Sequence, residues 1–342
     1  MTQPQLSAPS PGKARVTIGD VAAFAGVSPT TVSHVLSGKR TVGAETKEAV
    51  HEAIRRLGYR PNNVARNLRT RRSQMVAVIV PDITNPYYGV LTRGLADAVD
   101  EAGFGSYVCN TDGQPSREQA FLEDVLDRGV DGVVIASTAV AAKHGDGPAA
   151  MGTPVVCVGG AFDHPRVDLV AADDEVGSRA ATTHLVRRGA QRIAMIQGPP
   201  ESGEARDHGY RQALADAGMP FESALMVRGD WTRSGGRSGM RALMALDSRP
   251  DAVFCANDLT AIGAMDVLRE LGLSIPADVA LVGFDDVDAA SLVHPMLTTV
   301  ANPAYDTGRV AGELLVSRIT TEHTGDGRTV ILPCPLVVRE SA

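Results

Sequence analysis

The feature that most constrains the fold of this 342-residue chain is a regular alternation of short β-branched runs with amphipathic helical stretches, which starts at Met75. Two series of runs are predicted as strands: 75–80, 106–109, 132–135 and 155–158, then 192–196, 252–255 and 279–283. Such alternation favours parallel sheets with helices on both faces. About ten strands after residue 74 predict two sheets, and therefore two linked α/β lobes.

Charge divides the chain at almost the same place. Residues 1–72 carry 12 Lys/Arg and 4 Asp/Glu, although the whole chain has a formal net charge of −7. A basic head on an acidic body is typical of an anion-binding module joined to a domain with another task. The charge alone is equally consistent with an inert basic extension. The local sequence pattern of the head has to distinguish an anion-binding module from such an extension.

The head has the pattern of a helix-turn-helix. Residues 1–14 are rich in Pro, Ser and Gln and are predicted to be disordered. A first helix follows Thr17 as N-cap, Gly26 interrupts it, and a second helix, capped by Ser28, runs from Pro29 to about Leu36. A third helix is predicted at 44–57. Val32, Val35 and Leu36 are predicted to face inward. This architecture places a recognition helix in the major groove of DNA, and a three-helix bundle without a DNA role is the alternative.

Five motifs of this region resemble the lactose-repressor/galactose-repressor (LacI/GalR) family of bacterial transcription regulators: VTIGDVA at 16–22, AGVS at 25–28, TVSHVL at 31–36, GYRPN at 58–62 and ARNL at 65–68. The chain departs from the family pattern at His34, where sugar-responsive members usually have arginine and purine-responsive members have histidine. It departs again at Gly43, which replaces the usual serine cap. The predicted DNA-binding residues of the head are Thr17, Ser28, Pro29, Thr30, Thr31, Ser33 and His34. Lys39, Arg40, Lys47, Arg55 and Arg56 are candidates for phosphate contacts.

The linker at 61–73 includes a short predicted helix, 62–69. About eight residues are too few for a helix to persist alone in water. The resemblance implies that two such helices, one per subunit, pair over the operator centre, where Leu68 inserts into a minor-groove base step. Asn62, Ala65 and Leu68 are the predicted DNA-binding residues here, and a basic solvated linker is the alternative.

Ligands in open α/β sheets bind at the carboxyl ends of the strands. The resemblance implies two lobes that face each other, which places the site in the cleft between them. The resemblance implies a periplasmic-binding-protein-like body in which Arg206, Trp231, Asn257 and Asp285 contact a small effector. Arginine and aspartate suit sugar hydroxyls, and an aromatic face suits the C–H side of a sugar ring. The predicted effector-binding residues are Asp82, Asn85, Tyr87, Tyr88, Asp173, Arg206, Trp231, Asn257 and Asp285.

Several of these residues have structural alternatives. Arg206 and Asp285 could form a surface ion pair, Trp231 could lie in the core, and the Asn257-Asp258 pair could cap a helix. Tyr87 and Tyr88 could pack inside the hinge between the lobes; they stand where the family more often has two phenylalanines. Asp174 and Asp286 are interpreted as capping or structural residues, with Asp173-Asp174 standing where an Asp-Asn pair is commoner.

Other functional classes are disfavoured. No run approaches the roughly 18 apolar residues of a membrane span, and the N-terminus lacks the pattern of a secretory signal. The spacing of Cys109, Cys157, Cys255 and Cys334 fits neither a zinc site nor a disulfide framework and suits a reducing cytoplasm. Nucleotide-binding, HExxH and GxSxG motifs are missing, so we predict no enzyme activity, no metal and no cofactor other than a small-molecule effector.

The sequence thus predicts a small all-α helix-turn-helix head (15–60), a hinge (61–73) and a two-lobed α/β body (74–342). The N-lobe is predicted at about 74–172 and 303–328, and the C-lobe at about 173–302 and 329–342. The expected function is a cytoplasmic, homodimeric, effector-controlled repressor that binds a pseudo-palindromic operator and is associated with the nucleoid when bound. A sugar is the expected effector. A purine or another polar metabolite, or DNA binding without any ligand, are the alternatives.

Overall fold

The computed structural model describes residues 16–37, 40–60, 72–136, 152–160, 164–200 and 203–342. The chain divides into two compact units, residues 1–71 and 72–342. Several predictions lie outside the described residues. They concern the disorder of residues 1–14, the side chain of Lys39, and the linker helix with Asn62, Ala65 and Leu68.

The first unit contains three described helices: α1 (Ile18–Ala25), α2 (Pro29–Ser37) and α3 (Ala44–Leu57). Thr17 and Asp20 form a capping box, because each side chain accepts from the backbone N–H of the other residue. Gly26 ends α1 with φ at +66°, a conformation that glycine adopts without steric cost. Thus a side-chain cap closes the N-terminus of α1, and Gly26 closes its C-terminus, where the turn to α2 begins.

Apolar side chains from all three helices form one small core. Its fully buried members are Val21, Ala22, Val32, Val50 and Ala53, and Val35 packs against them. Leu36, which the periodicity assigned to the same inward face, is 39% exposed. The prediction that Leu36 faces inward is wrong. Successive helical residues are 100° apart, so Leu36 lies at the edge of a buried face that is centred between Val32 and Val35.

In chain order, the described elements of the second unit are β1 (Met75–Val80), α4 (Pro86–Glu101), β2 (Gly105–Asn110), α5 (Pro115–Asp127), β3 (Gly132–Ile135), β4 (Val155–Val158), β5 (Asp168–Ala172), α6 (Asp174–Arg187), β6 (Ile193–Gln197), α7 (Glu204–Asp216), β7 (Met226–Arg228), α8 (Arg233–Met244), β8 (Ala252–Cys255), α9 (Asp258–Glu270), β9 (Ala280–Asp285), β10 (Thr298–Ala301), α10 (Ala304–Ile319), β11 (Thr329–Leu332) and β12 (Leu336–Val337). Short 3₁₀ turns lie at Ser223–Leu225 and Asp288–Ser291.

These strands form two six-stranded sheets, which confirms the predicted two-lobed α/β body. The first sheet has the order β11-β5-β4-β3-β1-β2, and all its neighbours are parallel. The second has the order β12-β10-β9-β8-β6-β7 and is parallel except for β12. Their central strands are buried and mostly apolar along nearly their whole length, as expected where helices cover both faces.

The chain passes between the sheets after β5, after β10 and after β11. The sequence predicted that residues 329–342 belong to the C-lobe, which places the third passage before Thr329. That assignment is wrong, because β11 pairs in parallel with β5 of the first sheet. Arg328 also binds the buried carboxylate of Asp168 at the start of β5. Pro333 and Pro335 lack the N–H that a continuous ladder needs, so the strand ends there and only β12 joins the second sheet.

Candidate functional site

The exposed face of α2 carries the residues predicted to read DNA. Pro29 and Thr30 are exposed, and Ser33 and His34 are partly exposed. Thr31, also predicted, is half-buried, and its N–H donates to the Ser28 hydroxyl at 3.1 Å. Short polar side chains at the start of a helix can approach base edges closely.

Two of the residues predicted to contact DNA have capping roles, since the Thr17 and Ser28 hydroxyls both accept a helix N–H. Two of the arginines proposed for phosphates are already paired. Arg55 binds Glu48 and Glu52, and Arg56 binds Glu52, all on exposed faces of α3. Exposed pairs of this kind are weak, so a phosphate can compete for these guanidinium groups.

In the body, a buried arginine lies at the centre of the predicted effector site. The Arg206 side chain, from the first turn of α7, is 8% exposed. Its Nε lies 3.1 Å from Asp174 Oδ2, and one terminal nitrogen lies 3.4 Å from Asp285 Oδ1. A third contact is a hydrogen bond to the carbonyl of Ala256, at the end of β8. One guanidinium therefore links residues that are far apart in sequence but share the carboxyl edge of the second sheet.

The carboxylates of Asp174 and Asp285 balance the positive charge of Arg206. Burial by itself would lower the pKa of Arg206, but Asp174 and Asp285 outweigh that effect and raise it. Burial raises the pKa of Asp285 to about 6, although Arg206 and the Asn302 amide oppose the shift. Asp285 is therefore ionised at neutral pH and can accept hydrogen bonds. The surface ion pair that the sequence left open is excluded, since the two side chains are 8% and 7% exposed.

Aromatic rings border the guanidinium. The Phe284 ring centroid lies 3.7 Å from the guanidinium carbon of Arg206, and a Trp231 ring centroid lies 5.2 Å from it. Trp231 is partly buried, with its ring against the backbone of Gly198, where an added Cβ would lie 2.2 Å from the ring. These contacts hold the cation by stacking as well as by charge.

The first lobe contributes two tyrosines. Tyr87 and Tyr88 start α4, after the carboxyl end of β1, and their rings meet edge to face at 5.2 Å. Burial raises the pKa of both hydroxyls, and the charge of Asp285 in the other lobe raises them further. The tyrosines therefore lie within electrostatic reach of the Arg206–Asp285 pair, across the cleft that the sequence predicted.

Four of the predicted effector-binding residues have local structural contacts. Asn85, Asp173 and Asn257 are N-caps, of α4, α6 and α9, through Tyr87 N–H, Val176 N–H and Thr260 N–H. Asp82 accepts from the backbone and the hydroxyl of Thr84. Their carboxylate and amide oxygens shape the strand ends, and their role as effector ligands stays a prediction.

Three residues at this site were not predicted as effector contacts. Asp174 was interpreted as structural, yet it binds Arg206 while its side chain is 23% exposed. Phe284 stacks on the same guanidinium. Asn302 is 7% exposed and donates to Asp285 Oδ1 at 3.2 Å, and no described residue donates a hydrogen bond to its buried Oδ1. The sequence signal that could have identified Asn302 is its place at the predicted lobe boundary near residue 302.

Within the described residues, no group of three or more His, Cys, Asp or Glu side chains is arranged to hold a metal ion. The four cysteines are free and buried. None of the described helices combines the length and apolarity that a membrane crossing requires.

Two sequence families match the chain. Residues 17–62 match the family described as bacterial regulatory proteins, lacI family. Residues 73–340 match the periplasmic binding proteins and sugar binding domain of LacI family.

Individual relatives match over nearly the whole chain. The HTH-type transcriptional regulator CelR of Thermobifida fusca is 40% identical over 342 residues, covering 96% of this chain and 98% of the relative. The solved structure of a transcriptional regulator CelR–cellobiose complex aligns with a TM-score of 0.72 at 35% identity, covering 96% and 100% of the two chains. The Lac repressor dimer bound to operator and the anti-inducer ONPF aligns with a TM-score of 0.82 at 26% identity, covering 96% and 99%.

Proposed function

The chain belongs to the LacI family of DNA-binding transcription regulators, and from that premise we propose that it is a homodimeric repressor controlled by a neutral sugar. The sugar binds between the lobes, against Arg206, Asp285, Trp231 and the two tyrosines of α4. The dimer binds a pseudo-palindromic operator, one half-site per head. Because its target is chromosomal DNA, the repressor acts in the cytoplasm, at the nucleoid when bound.

The main observation in support of the proposal is the buried group formed by Arg206, Asp174 and Asp285. A buried guanidinium with carboxylates on two sides offers both donors and acceptors at one place, as a hydroxyl-rich ligand needs. The buried Asn302 Oδ1, which no described residue hydrogen-bonds, adds an acceptor beside Asp285. Trp231 adds an apolar surface. The CelR structure that contains cellobiose supports a sugar as the ligand class.

The charges at the site favour a neutral ligand over an anionic one. Arg206 contributes one positive charge, and Asp174 and Asp285 contribute two negative charges. The arginine is therefore already neutralised, and a phosphate or carboxylate group on the ligand would meet uncompensated negative charge in a poorly solvated place. Juxtaposed like charges cost several kcal/mol at an interface.

The first experiment compares ligands by charge. Calorimetry on the full-length protein would use cellobiose, ribose, ribose 5-phosphate and hypoxanthine as probes. We expect a neutral sugar to bind, and ribose 5-phosphate to bind at least tenfold more weakly than ribose if ribose is that sugar. Tighter binding of the phosphate ester would contradict the charge argument. If hypoxanthine is the only probe that binds, the effector is a purine and not a sugar.

The second experiment tests DNA recognition. Full-length protein is expected to prefer a selected palindrome over random duplex by at least 1,000-fold, roughly the lower end for specific DNA-binding proteins, with log affinity falling steeply as salt rises. Thr30→Ala and His34→Ala should change which bases are selected. Leu68→Ala should weaken only the palindrome, because only the specific complex is bent.

A matched control comes from α3. Lys47→Ala should weaken all sequences about equally, because a phosphate contact carries no base information. Equal affinity of the wild type for random and palindromic duplexes at physiological salt would refute sequence-specific binding.

A further inference from the structure

Two turns at the carboxyl edge of the second sheet carry Trp231 and Asp285 in a backbone conformation that L-residues rarely adopt. The φ angle is +64° at Trp231, +106° at Asp285 and +52° at Asp286. A positive φ is a genuine outlier for a residue as bulky as tryptophan. Such conformations persist only where surrounding contacts fix them. The contacts that fix these two turns are therefore part of how the site is built.

Asn257 fixes the first turn. This residue, 1% exposed, is the N-cap of α9, and its Oδ1 accepts from the N–H of Thr260 at 2.9 Å. Its Nδ2 donates to the carbonyl of Trp231 at 3.0 Å. One side-chain amide thus caps the helix and holds the backbone of Trp231, while Gly198 packs against the Trp231 ring.

Asp258, the first residue of α9, fixes the second turn. Its carboxyl group is fully buried. One oxygen accepts from the N–H of Val287, two residues past Asp285, at 2.8 Å, and the other accepts from the Thr299 hydroxyl on β10 at 2.6 Å. The carboxyl lies over Gly283, where a Cβ would be 2.2 Å from Asp258 Oδ1. Asp258 therefore ties the turn after β9 to the neighbouring strand.

We infer that Asn257 and Asp258 are positioning residues for the effector site: Asn257 orients Trp231, and Asp258 orients the turn that carries Asp285. Two adjacent side chains at the start of α9 hold two residues that lie 54 positions apart in the chain. The effect on effector affinity rests on the proposed function. The effect on the two turns does not, and both can be measured without any ligand.

The Trp231 part of the inference has a direct optical readout. Trp231 is the chain's single tryptophan, so fluorescence excited at wavelengths that the six tyrosines do not absorb reports on this residue alone. Asn257→Ser keeps a capping oxygen but is too short to reach the Trp231 carbonyl. We expect a shifted emission maximum, faster quenching by acrylamide, and about tenfold weaker binding of the sugar that binds the wild type. Emission and quenching identical to the wild type would overturn this part.

The Asp258 part is read by amide hydrogen exchange in the segment 284–288. Asp258→Ala removes both acceptors, so the Val287 amide should exchange at least tenfold faster and sugar affinity should fall at least tenfold. Asp258→Asn can still accept from the Val287 N–H and donate to the Thr299 hydroxyl. It should therefore keep most of the exchange protection of Val287 and most of the sugar affinity. If Asp258→Ala does not fold, Thr299→Val removes one anchor isosterically and should give intermediate exchange. Unchanged exchange in Asp258→Ala, or in Thr299→Val where that variant replaces it, would overturn this part.

Ser341→Ala is the matched control. Ser341 is fully buried, and its hydroxyl bonds to Leu281 and Thr298 in β9 and β10, away from their carboxyl ends. This variant should lower stability without changing Trp231 emission or exchange at 284–288. A change in both signals as large as in the test variants would show a general loss of packing and overturn the inference. If no probe sugar binds the wild type, the proposed function fails, while emission and exchange still decide the positioning roles.

Discussion

Arg206→Ala is expected to abolish the response to the effector while operator binding is retained. The change leaves Asp174 and Asp285 without a counter-charge and removes the donor to the Ala256 carbonyl. Losing one partner of a buried ion pair costs about 3–5 kcal/mol of folding stability. Lost hydrogen bonds to charged groups weaken sugar binding by about 1.5–3 kcal/mol each, so affinity should fall at least 100-fold. Operator binding should survive, because the head is a separate compact unit.

The measurements are sugar affinity by calorimetry and operator affinity with and without sugar. If the alanine variant is too unstable to measure, Arg206→Lys is tested in its place, because lysine keeps the positive charge but not the planar set of hydrogen-bond donors. Arg179→Ala is the matched control. Its ion pair with Asp216 also joins α6 to α7, but the two side chains are 53% and 40% exposed. That variant should lose less than about 1 kcal/mol. A normal sugar response in Arg206→Ala would show that Arg206 is structural and that the site lies elsewhere.

Gly94→Ala is expected to destabilise the first lobe strongly. Gly94 of α4 packs directly on the backbone of α10, where an added Cβ would lie 2.0 Å from the carbonyl oxygen of Tyr305. Gly308 of α10 meets Leu91 O in the same way, so neither helix can yield locally. The helices must separate, which costs about 1–3 kcal/mol or more. For a body of this size the unfolding midpoint should fall by roughly 2 °C for each kcal/mol lost.

Gly89→Ala is the control for this change. It lies in the same helix, is exposed, and has no atom within 4 Å of an added Cβ. Alanine is the better helix former by about 0.5–1 kcal/mol, so thermal unfolding followed by circular dichroism should show equal or higher stability. Equal midpoints for Gly94→Ala and the wild type would mean that α4 and α10 are less closely packed than described.

The sequence predicted the elements that local chemistry encodes. Helix α3 lies where periodicity and Gly58 placed it, and β1, β3, β4 and β8 coincide with their apolar runs. Strands β5, β7 and β10 were not individually predicted. Each contains polar residues (Asp168, Arg228, and Thr298 with Thr299), so none shows the unbroken apolar run by which β1, β3, β4 and β8 were recognised.

The candidate site was predicted in part. Arg206, Trp231 and Asp285 came from the family resemblance and from their places after strands, and they lie together. Asp174 was interpreted as structural, because nothing in a run of two aspartates shows which carboxylate will face an arginine 32 positions away. The capping bonds of Asn85, Asp173 and Asn257 follow from their positions before helices, which the sequence does contain.

The sequence by itself determined the class of protein: its motifs identify the head, and its alternating pattern identifies two α/β lobes. Only the tertiary structure decided which side chains meet at the carboxyl edge of the second sheet and which sheet β11 joins. The physical reason is that helices, caps and strand propensities depend on neighbours within a few residues. The balance of charge around Arg206 depends on a buried position that residues from distant segments create together. Burial is a property of the assembled lobe, so no local pattern could supply it.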